Sequence, residues 1–408
     1  STGPISLATY MQLCLSHPTH GYYMNSSNPV FGSQGDFITS PEISQVFGEL
    51  IGIWLLSQWA NAGSPSSIRL VELGPGRGTL MDDILRVVSQ LRPSSDPINV
   101  HLVETSQALR AVQEQKLHSS KRNINLHFHQ SISDVPQDSK QYTMLVAHEF
   151  FDALPMHLLQ KQETGWHEVM IDTSLPNSSS PSTSTQTTST KSQVIPHLCR
   201  VLSPTPTAAS TLLGLSSPHF HNLPNGSFIE VSPAAFKTAR QVAQLVSGRD
   251  EPEPLARRDV VVPSAENESV GGCGLIIDYG GDKVYGDSFR AFKQHKIVDV
   301  FHRPGECDLT ANVDFAYLKE AMSGLVTPHG PISQRSFLER MGITLRVDAL
   351  ARSARSESRK AAIQNSAKRL TDRLDGLMGA EVWPFEVREE KRAGSCVHVE
   401  DKCGSGKK

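Results

Sequence analysis

Several features are absent from this 408-residue sequence, and each absence excludes a class of protein. It has no run of about 18 apolar residues, so no membrane-spanning helix is predicted. A formal charge of −3 gives no electrostatic reason to expect nucleic acid as a partner. None of the six cysteines forms a C-x-x-C pair, so neither a zinc site nor a redox dithiol is predicted, and free thiols in a reducing compartment are expected. The first residues show neither Met nor a signal-like apolar core, and we expect any targeting peptide to lie outside this sequence.

The hydrophobic fraction of 38% is low for a globular chain and predicts segments that do not pack. Residues 1–65 are helical by pattern and precede the first strand, residues 66–390 form the main α/β region, and residues 391–408 read as a disordered tail. Ser-, Thr- and Pro-rich or charged stretches interrupt the main region as one disordered and two mobile insertions, at about 174–192, 203–218 and 248–272. The residues from Val382 onward give no clear final strand.

The segment Leu70–Thr79 is the most informative part of the chain. An apolar strand ends at Glu72, and Gly74, Gly76 and Gly78 then turn the chain into a helix. Glycine tolerates positive φ and has no Cβ, so such a turn brings the backbone close to a nucleotide-like ligand. It is not a phosphate-binding loop, because the required lysine is missing, and its glycine spacing does not match a dinucleotide fingerprint.

The next strand-terminal acid is Glu104, after a predicted helix over 79–92 and a strand over 99–103. In an open α/β sheet its carboxylate would lie at the carboxyl edge beside the glycine turn, where it can accept hydrogen bonds from two ribose hydroxyls. No pyrophosphate needs to be neutralised there. This combination indicates S-adenosylmethionine (SAM) as the cofactor. A turn that only packs a helix on a sheet is the alternative.

Strand and helix patterns alternate along the chain and predict a mostly parallel, doubly wound α/β sheet. Further strands are predicted over 125–129, 142–147, 227–231 and 273–278. The loop after the fourth strand is His148–Pro155, which would also open toward the cofactor.

That loop places His148, Glu149 and Asp152 around Phe150 and Phe151. Two carboxylates could hold a guanidinium and orient the proton lost on methyl transfer, with a phenyl ring as a stacking wall. The alternative is an apolar loop plug in which the glutamate caps the next turn. A metalloprotease H-E-x-x-H site is excluded because position 152 is Asp, and no metal site is predicted.

Two later strand ends also carry acids. Glu230 and Asp278 each follow apolar residues, and each could face substrate or cap a neighbouring segment. Capping is favoured for Asp278, whereas Glu230 is taken as a substrate-binding candidate.

Four motifs in this order resemble the MidA-like family of SAM-dependent methyltransferases. They span residues 35–42, 72–78, 148–155 and 304–315. The resemblance covers nearly the whole chain apart from the insertions. It implies a Rossmann-like fold whose N-terminal helical extension covers the cofactor.

The resemblance also implies roles for single residues. Besides Glu72, the three glycines and Glu104, it implies that Thr39, Ser40 and Pro41 close over SAM. The two carboxylates of the 148–155 loop would then hold a substrate guanidinium.

The family's mitochondrial member is a protein-arginine methyltransferase that serves in respiratory complex I assembly. The resemblance therefore implies symmetric dimethylation of an arginine on a complex I core subunit in the mitochondrial matrix. A SAM-binding assembly scaffold without turnover and a small-molecule methyltransferase are the alternatives. The oligomeric state is not predicted.

Overall fold

The computed structural model describes residues 3–25, 38–92, 96–174, 197–249, 269–371 and 380–386. Its strands are β1 (Ile5–Ser6), β2 (Ile68–Leu73), β3 (Ile98–Val103), β4 (Ile124–His129), β5 (Tyr142–His148), β6 (His157–Gln162), β7 (Gly165–Ser174), β8 (His197–Leu202), β9 (Phe228–Val231), β10 (Gly272–Gly281), β11 (Arg290–Lys293), β12 (Lys296–Val298), β13 (Asp308–Thr310), β14 (Val313–Asp314), β15 (Thr327–Pro328), β16 (Ile332–Ser333) and β17 (Ala380–Glu386). Its helices are α1 (Leu7–Ser16), α2 (Ser40–Ile43), α3 (Gln45–Asn61), α4 (Thr79–Leu91), α5 (Gln107–Ser119), α6 (Ala208–Gly214), α7 (Pro218–His221), α8 (Pro233–Ser247), α9 (Phe315–Met322), α10 (Gln334–Arg340), α11 (Ile343–Ser353) and α12 (Glu357–Thr371).

The central sheet confirms the predicted doubly wound α/β architecture. Its strand order is β15-β17-β10-β5-β2-β3-β4, and the five strands from β10 to β4 are parallel. Side chains alternate along each strand. On β2, Ile68 and Leu70 therefore join the core beneath α3 and α4, whereas Val71 and Leu73 join the core beneath α8 and α9. Apolar residues cover both faces, which is the condition for a parallel sheet.

A second sheet of five antiparallel strands lies apart from the central one. It has the order β1-β7-β6-β9, with β8 paired to β7. The predicted strand over 227–231 is β9, but it belongs to this sheet, so its placement in the doubly wound sheet is wrong. The physical reason is its partner: Phe228–Val231 pairs antiparallel with β6 through residues 157–160. Within the described ranges, no helix is both long and apolar enough to cross a membrane.

The N-terminal residues and a small third sheet share one core. Helix α1 packs its buried face, including Leu7, Met11 and Leu15, against Leu309 of β13 and residues of the second sheet. Strand β13 pairs antiparallel with β11, which pairs with β12. In contrast, α3 packs against α4 in the core of the central sheet. The domain boundaries 1–65 and 66–390 stay a prediction.

Two segments expected to lack structure are ordered. Residues 203–218 contain α6 and the first residue of α7, so the prediction of a mobile insertion is wrong there. Its polar residues have partners inside and outside the segment: Thr207 and Ser210 form a capping box, and the Ser210 hydroxyl donates to the carbonyl of Trp166 on β7 at 2.5 Å. The sequence pattern indicates no clear final strand from Val382 onward, but the structure has one there: β17 pairs antiparallel with β10 and buries Trp383 completely.

Other predicted segments fall outside the described residues. These are most of the insertions at 174–192 and 248–272, the tail at 391–408, and positions 35–37 of the first family motif.

Candidate active site

A cavity of about 390 Å³ opens at the carboxyl edge of β2, β3 and β5. Its volume is in the range of small-molecule and cofactor sites. The loops that follow the three strands form its floor, as is usual for ligand sites of open α/β sheets. The N-terminal part of the chain contributes walls through Thr39, Pro41, Glu42, Leu15 and Tyr23.

The glycine turn has the backbone conformation that its sequence predicts. Gly74, Gly76 and Gly78 have φ values of 62°, 52° and 74°, a region that other residues rarely adopt. Gly78 is the N-cap of α4, and its N–H donates to the Pro75 carbonyl at 2.7 Å. A Cβ on Gly74 would lie 2.9 Å from Cδ2 of Phe150. The turn therefore needs glycine for its φ values and for close packing against the opposite loop.

Two carboxylates flank this turn, and they differ in their partners. Glu104 accepts hydrogen bonds from the Ser106 N–H at 2.8 Å and from Gln113 Nε2 at 3.2 Å. Glu72 is buried, and its Oε2 has no hydrogen-bond partner in the structure. Burial, reinforced by the nearby Glu104 charge, raises the pKa of Glu72 to about 8.

These donors and acceptors fit SAM. An unpartnered buried carboxylate oxygen costs free energy unless a cation or donor meets it, and the SAM ammonium is such a group. Glu104 is held in place by Gln113, which also donates to the Gly76 carbonyl at 2.7 Å. A carboxylate fixed in this way can accept hydrogen bonds from ribose hydroxyls. The adjoining segment 130–132 lines the same end of the cavity.

The predicted cofactor cover is only partly reproduced. Thr39 and Pro41 line the cavity, together with Glu42. Ser40 is buried and donates from its hydroxyl to Gln334 Oε1 at 3.3 Å, so it is directed into the protein and does not line the cavity. Thr39, rather than Ser40, is the N-cap residue of α2.

The loop after β5 brings the predicted catalytic residues into the same cavity. His148, Glu149 and Asp152 all line it, opposite the glycine turn. Glu149 has a φ of 50°, a strained value for a residue with a side chain. Asp278 of β10 holds this conformation: its Oδ2 accepts from the backbone N–H groups of residues 150, 151 and 152 at 3.1, 2.8 and 3.3 Å. The capping role favoured for Asp278 is therefore confirmed.

The electrostatics of this loop are dominated by buried negative charge. Burial, with smaller contributions from the charges of Asp278 and Asp308, raises the pKa of Glu149 to about 8. Burial and the same two aspartates also hold the pKa of Asp152 well above its ordinary value. Burial lowers the pKa of His148 to about 3, so this imidazole is neutral, and its Nε2 has no hydrogen-bond partner. A cation in the cavity would stabilise both carboxylates in their charged form.

The three predicted substrate-binding residues are separated by the fold. Phe150 lines the cavity, whereas Phe151 is packed in the core beneath α8 and does not line it. Glu230 is on β9 and lies outside this cavity. Its carboxylate accepts from the N–H groups of Ser288 and Phe289 at 2.8 and 3.0 Å and from the Ser288 hydroxyl. Glu230 therefore anchors the segment before β11 and does not line the cavity that contains Phe150.

Sequence reasoning missed several residues that line the cavity. Asp308 and Thr310 of β13 and Tyr23 after α1 are the main ones. The 304–315 motif was a signal for β13, but nothing in the local pattern connected it to the 148–155 loop. Gln113 was missed because its role depends on a contact between α5 and the glycine turn.

The ionisable residues that line the cavity are strongly unbalanced in charge. Arg77 is the single Lys or Arg in the described lining, against six acids: Glu42, Glu72, Glu104, Glu149, Asp152 and Asp308. The cavity is therefore suited to ligands that together carry positive charge.

Comparison with known proteins agrees with this geometry. Residues 50–332 match the sequence model of a family described as "Putative S-adenosyl-L-methionine-dependent methyltransferase". The Danio rerio protein named "Protein arginine methyltransferase NDUFAF7, mitochondrial" is 40% identical over 370 residues, which cover 86% of this chain and 76% of the relative. The Homo sapiens protein of the same name is 38% identical, over 86% of this chain and 73% of its own length.

A solved structure supports the fold. The crystal structure of a Burkholderia thailandensis protein bound to S-adenosyl-homocysteine superposes with a TM-score of 0.68 at 23% identity, covering 94% of this chain and 88% of the other. This superposition confirms the Rossmann-like fold. The family match and the relatives confirm the resemblance expected from the four motifs, and the family match confirms the cofactor. The roles of the individual site residues stay predictions. The chain belongs to the MidA-like family of SAM-dependent methyltransferases.

Proposed function

We propose that this chain is a protein-arginine N-methyltransferase that uses SAM. One observation carries the proposal: Asp152, which is buried, and Glu149, which is half-buried, both line a cavity whose described lining has six acids and one arginine. Carboxylates with raised pKa values and little opposing charge favour a cationic substrate. The Danio rerio and Homo sapiens relatives are named protein arginine methyltransferases, which supports arginine as that cation.

The residues divide into a cofactor end and a substrate end. Glu72 would bind the ammonium of SAM and Glu104 its ribose, while the glycine turn lets the ligand approach the backbone. Bound SAM supplies an electrophilic methyl group on a sulfonium. Phe150, which packs against Gly74 between the two ends, contributes an apolar wall that excludes water.

At the substrate end the carboxylates orient a guanidinium and draw its positive charge away from the attacking nitrogen. Arginine is protonated at all working pH values, so methyl transfer must be accompanied by loss of an N–H proton. Asp152 or Glu149 accepts that proton, because both carboxylates face the cavity with raised pKa values. The Nε2 atom of neutral His148 lies 3.5 Å from Glu149 Oε1, so this imidazole can take part in removing the proton.

The substrate is proposed to be a core subunit of respiratory complex I in the mitochondrial matrix, symmetrically dimethylated at arginine. This follows from the family resemblance, and the word "mitochondrial" in the names of the Danio rerio and Homo sapiens relatives supports the compartment.

The test incubates the purified chain with isotopically labelled SAM and complex I subunits, followed by mass spectrometry. Label on arginine is expected, and Glu149→Gln is expected to abolish it while SAM binding is retained. Exposed Glu163 lies in a turn away from the site, so Glu163→Gln is the matched control. Label on lysine alone, or full activity of Glu149→Gln, would contradict the proposal.

A second variant separates turnover from a scaffold role. A Cβ at Gly76 is strained at φ 52°, and Gly76→Val is expected to abolish SAM binding. If complex I assembly still proceeds in cells that carry only this variant, the chain acts as a scaffold without turnover.

A further inference from the structure

Strand β13 presents two polar side chains to the cavity. Asp308 and Thr310 are two residues apart, so they lie on the same face of the strand, and both line the cavity. Leu309 between them points the other way and packs in the core beneath α1. This alternation makes β13 a third wall of the site, facing the 148–155 loop.

The position of Asp308 is fixed from the N-terminal side. The Tyr23 hydroxyl donates to Asp308 Oδ1 at 2.8 Å, and both side chains line the cavity. The loop before β13 packs tightly on the same N-terminal turn: a Cβ on Gly305, whose φ is 88°, would lie 2.3 Å from the carbonyl oxygen of His20. Asp308 is therefore held where it faces the cavity.

The other end of β13 is fixed to the predicted catalytic loop. The N–H of Ala311 donates to the carbonyl of Asp152 at 3.0 Å. Asp308 lies close enough to Glu149 and Asp152 that its charge raises the pKa of both. The three carboxylates thus form one cluster built from two separate parts of the chain.

Thr310 gives independent evidence for a ligand at this wall. Its side chain is 5% exposed, and its Oγ1 has no hydrogen-bond partner in the structure. A buried hydroxyl without a partner is unfavourable, and an apolar residue of the same shape would avoid the cost. A polar group of a ligand bound in the cavity would satisfy it.

We propose that β13 is a substrate-binding strand: Asp308 binds the substrate guanidinium opposite Glu149 and Asp152, and the Thr310 hydroxyl accepts one of its N–H groups. The assignment rests on the proposed function. A guanidinium has five N–H donors, and carboxylates on two sides plus one hydroxyl can hold it while one nitrogen faces the methyl group. Tyr23 acts as a positioning residue, because it reaches the substrate only through Asp308.

The experiment measures two quantities for each variant: the KM for an arginine peptide and the binding of N-acetyl-arginine amide in the presence of S-adenosyl-homocysteine. Asp308→Asn keeps the size of the side chain and an acceptor for Tyr23. It is expected to raise the KM and the Kd of the amide by about tenfold or more, because a charge-assisted hydrogen bond is lost. SAM affinity is expected to stay within about twofold of the wild type.

Thr310→Val separates a binding role from a structural one. It removes an unpartnered hydroxyl at constant shape, so the unliganded protein is expected to be as stable as the wild type or more so. The KM is nevertheless expected to rise several-fold. Tyr23→Phe is expected to raise the KM less than Asp308→Asn does. Asp282→Asn, which removes an exposed ion pair with Lys319, is the matched control.

The outcomes distinguish this assignment from the proposed function. If the wild type binds the arginine amide but Asp308→Asn and Thr310→Val bind it equally well, the assignment of β13 is overturned and the proposed function stands. If the wild type binds N-acetyl-lysine amide in preference to the arginine amide, the proposed function fails, and the assignment of β13 fails with it.

Discussion

Replacing Glu72 by glutamine is expected to weaken SAM binding and at the same time to stabilise the unliganded protein. The carboxyl is buried with one oxygen unpartnered, and burial raises its pKa from an ordinary 4.5 to about 8. A carboxyl shifted in this way binds its proton more tightly in the folded state. Its contribution to stability is therefore complete below pH 4.5 and is lost as the pH rises through about 8.

The magnitude follows from the size of that shift. Ionising Glu72 in the folded protein costs about 5 kcal/mol relative to the unfolded chain once the pH exceeds 8. Glutamine cannot ionise and avoids this cost. Urea unfolding without ligand should therefore find equal stability for the two proteins near pH 5 and greater stability for Glu72→Gln near pH 8.5. Glu163→Gln, at an exposed position, should show no such difference.

The affinity for SAM should change with pH in the direction opposite to the stability of the unliganded protein. An ammonium favours the ionised carboxylate, so the wild-type affinity for SAM should rise by about tenfold per pH unit below 8. Glu72→Gln should lose this dependence and bind roughly ten- to hundredfold more weakly near pH 8.5, the effect of losing one charged hydrogen bond. Calorimetric titration at several pH values measures both quantities. Equal affinities with equal pH dependence would refute the assignment of Glu72 to the SAM ammonium.

Three further predictions concern the loops that face each other across the cavity. Gly74→Ala is expected to weaken SAM binding in equilibrium titrations. Adding Phe150→Leu should restore only part of the lost affinity, because the smaller side chain relieves the 2.9 Å contact with the new Cβ but not the backbone strain at φ 62°. Asp278→Asn is expected to lower stability to urea by about 2–4 kcal/mol and to abolish methyl transfer, since an amide group would face backbone N–H donors of residues 150–152. Because burial raises the pKa of Glu149 to about 8, the KM for an arginine peptide in steady-state assays should decrease as the pH is raised from about 6.5 to about 8.5. A KM that does not change over this range would contradict the role of Glu149.

The parallel part of the central sheet could be predicted from sequence because its signals are local. Each strand from β2 to β5 is a short stretch rich in apolar residues with a polar residue at, just before or just after its last position, and the glycine turn marks the passage from β2 to α4. The structure extends the predicted strands by one residue at most in this region, for example β5 at Tyr142–His148. The same local pattern did not reveal which sheet a strand joins.

Strand β9 illustrates that limit. Phe228–Val231 followed by Ser232 and Pro233 has the appearance of a strand and helix start in a doubly wound fold, and Ser232 does cap α8. The strand nevertheless pairs with β6, more than sixty residues earlier in the chain, a contact that no local pattern contains. For β17 the difficulty was composition, because Pro384 interrupts the apolar residues and a glutamate stands near each end of the strand. The strand is nevertheless stabilised by its pairing with β10.

Segment 203–218 was misjudged for a different reason. Low apolar content indicates disorder only if the polar groups have no partners other than water. Here Ser217 caps α7 and also donates to Glu320 at 2.8 Å, and Gly214 packs so closely on Trp166 that a Cβ would lie 2.1 Å from the ring. The partners of this serine and this glycine lie far away in the sequence. The composition of the segment therefore could not reveal them and indicated mobility instead.

The acids at strand ends show why a cofactor residue can be told from a structural one only in three dimensions. Asp278 has four backbone N–H donors around it, and Glu230 has Ser288 and Phe289, so the protein itself satisfies both carboxylates. Glu72 has one oxygen left without a partner in a cavity that fits a cofactor. All three follow apolar residues in the sequence. Among these three acids, Asp278 and Glu230 receive N–H donors from the protein, whereas Glu72 Oε2 receives none, and this difference is what marks Glu72 as the candidate ligand-binding acid.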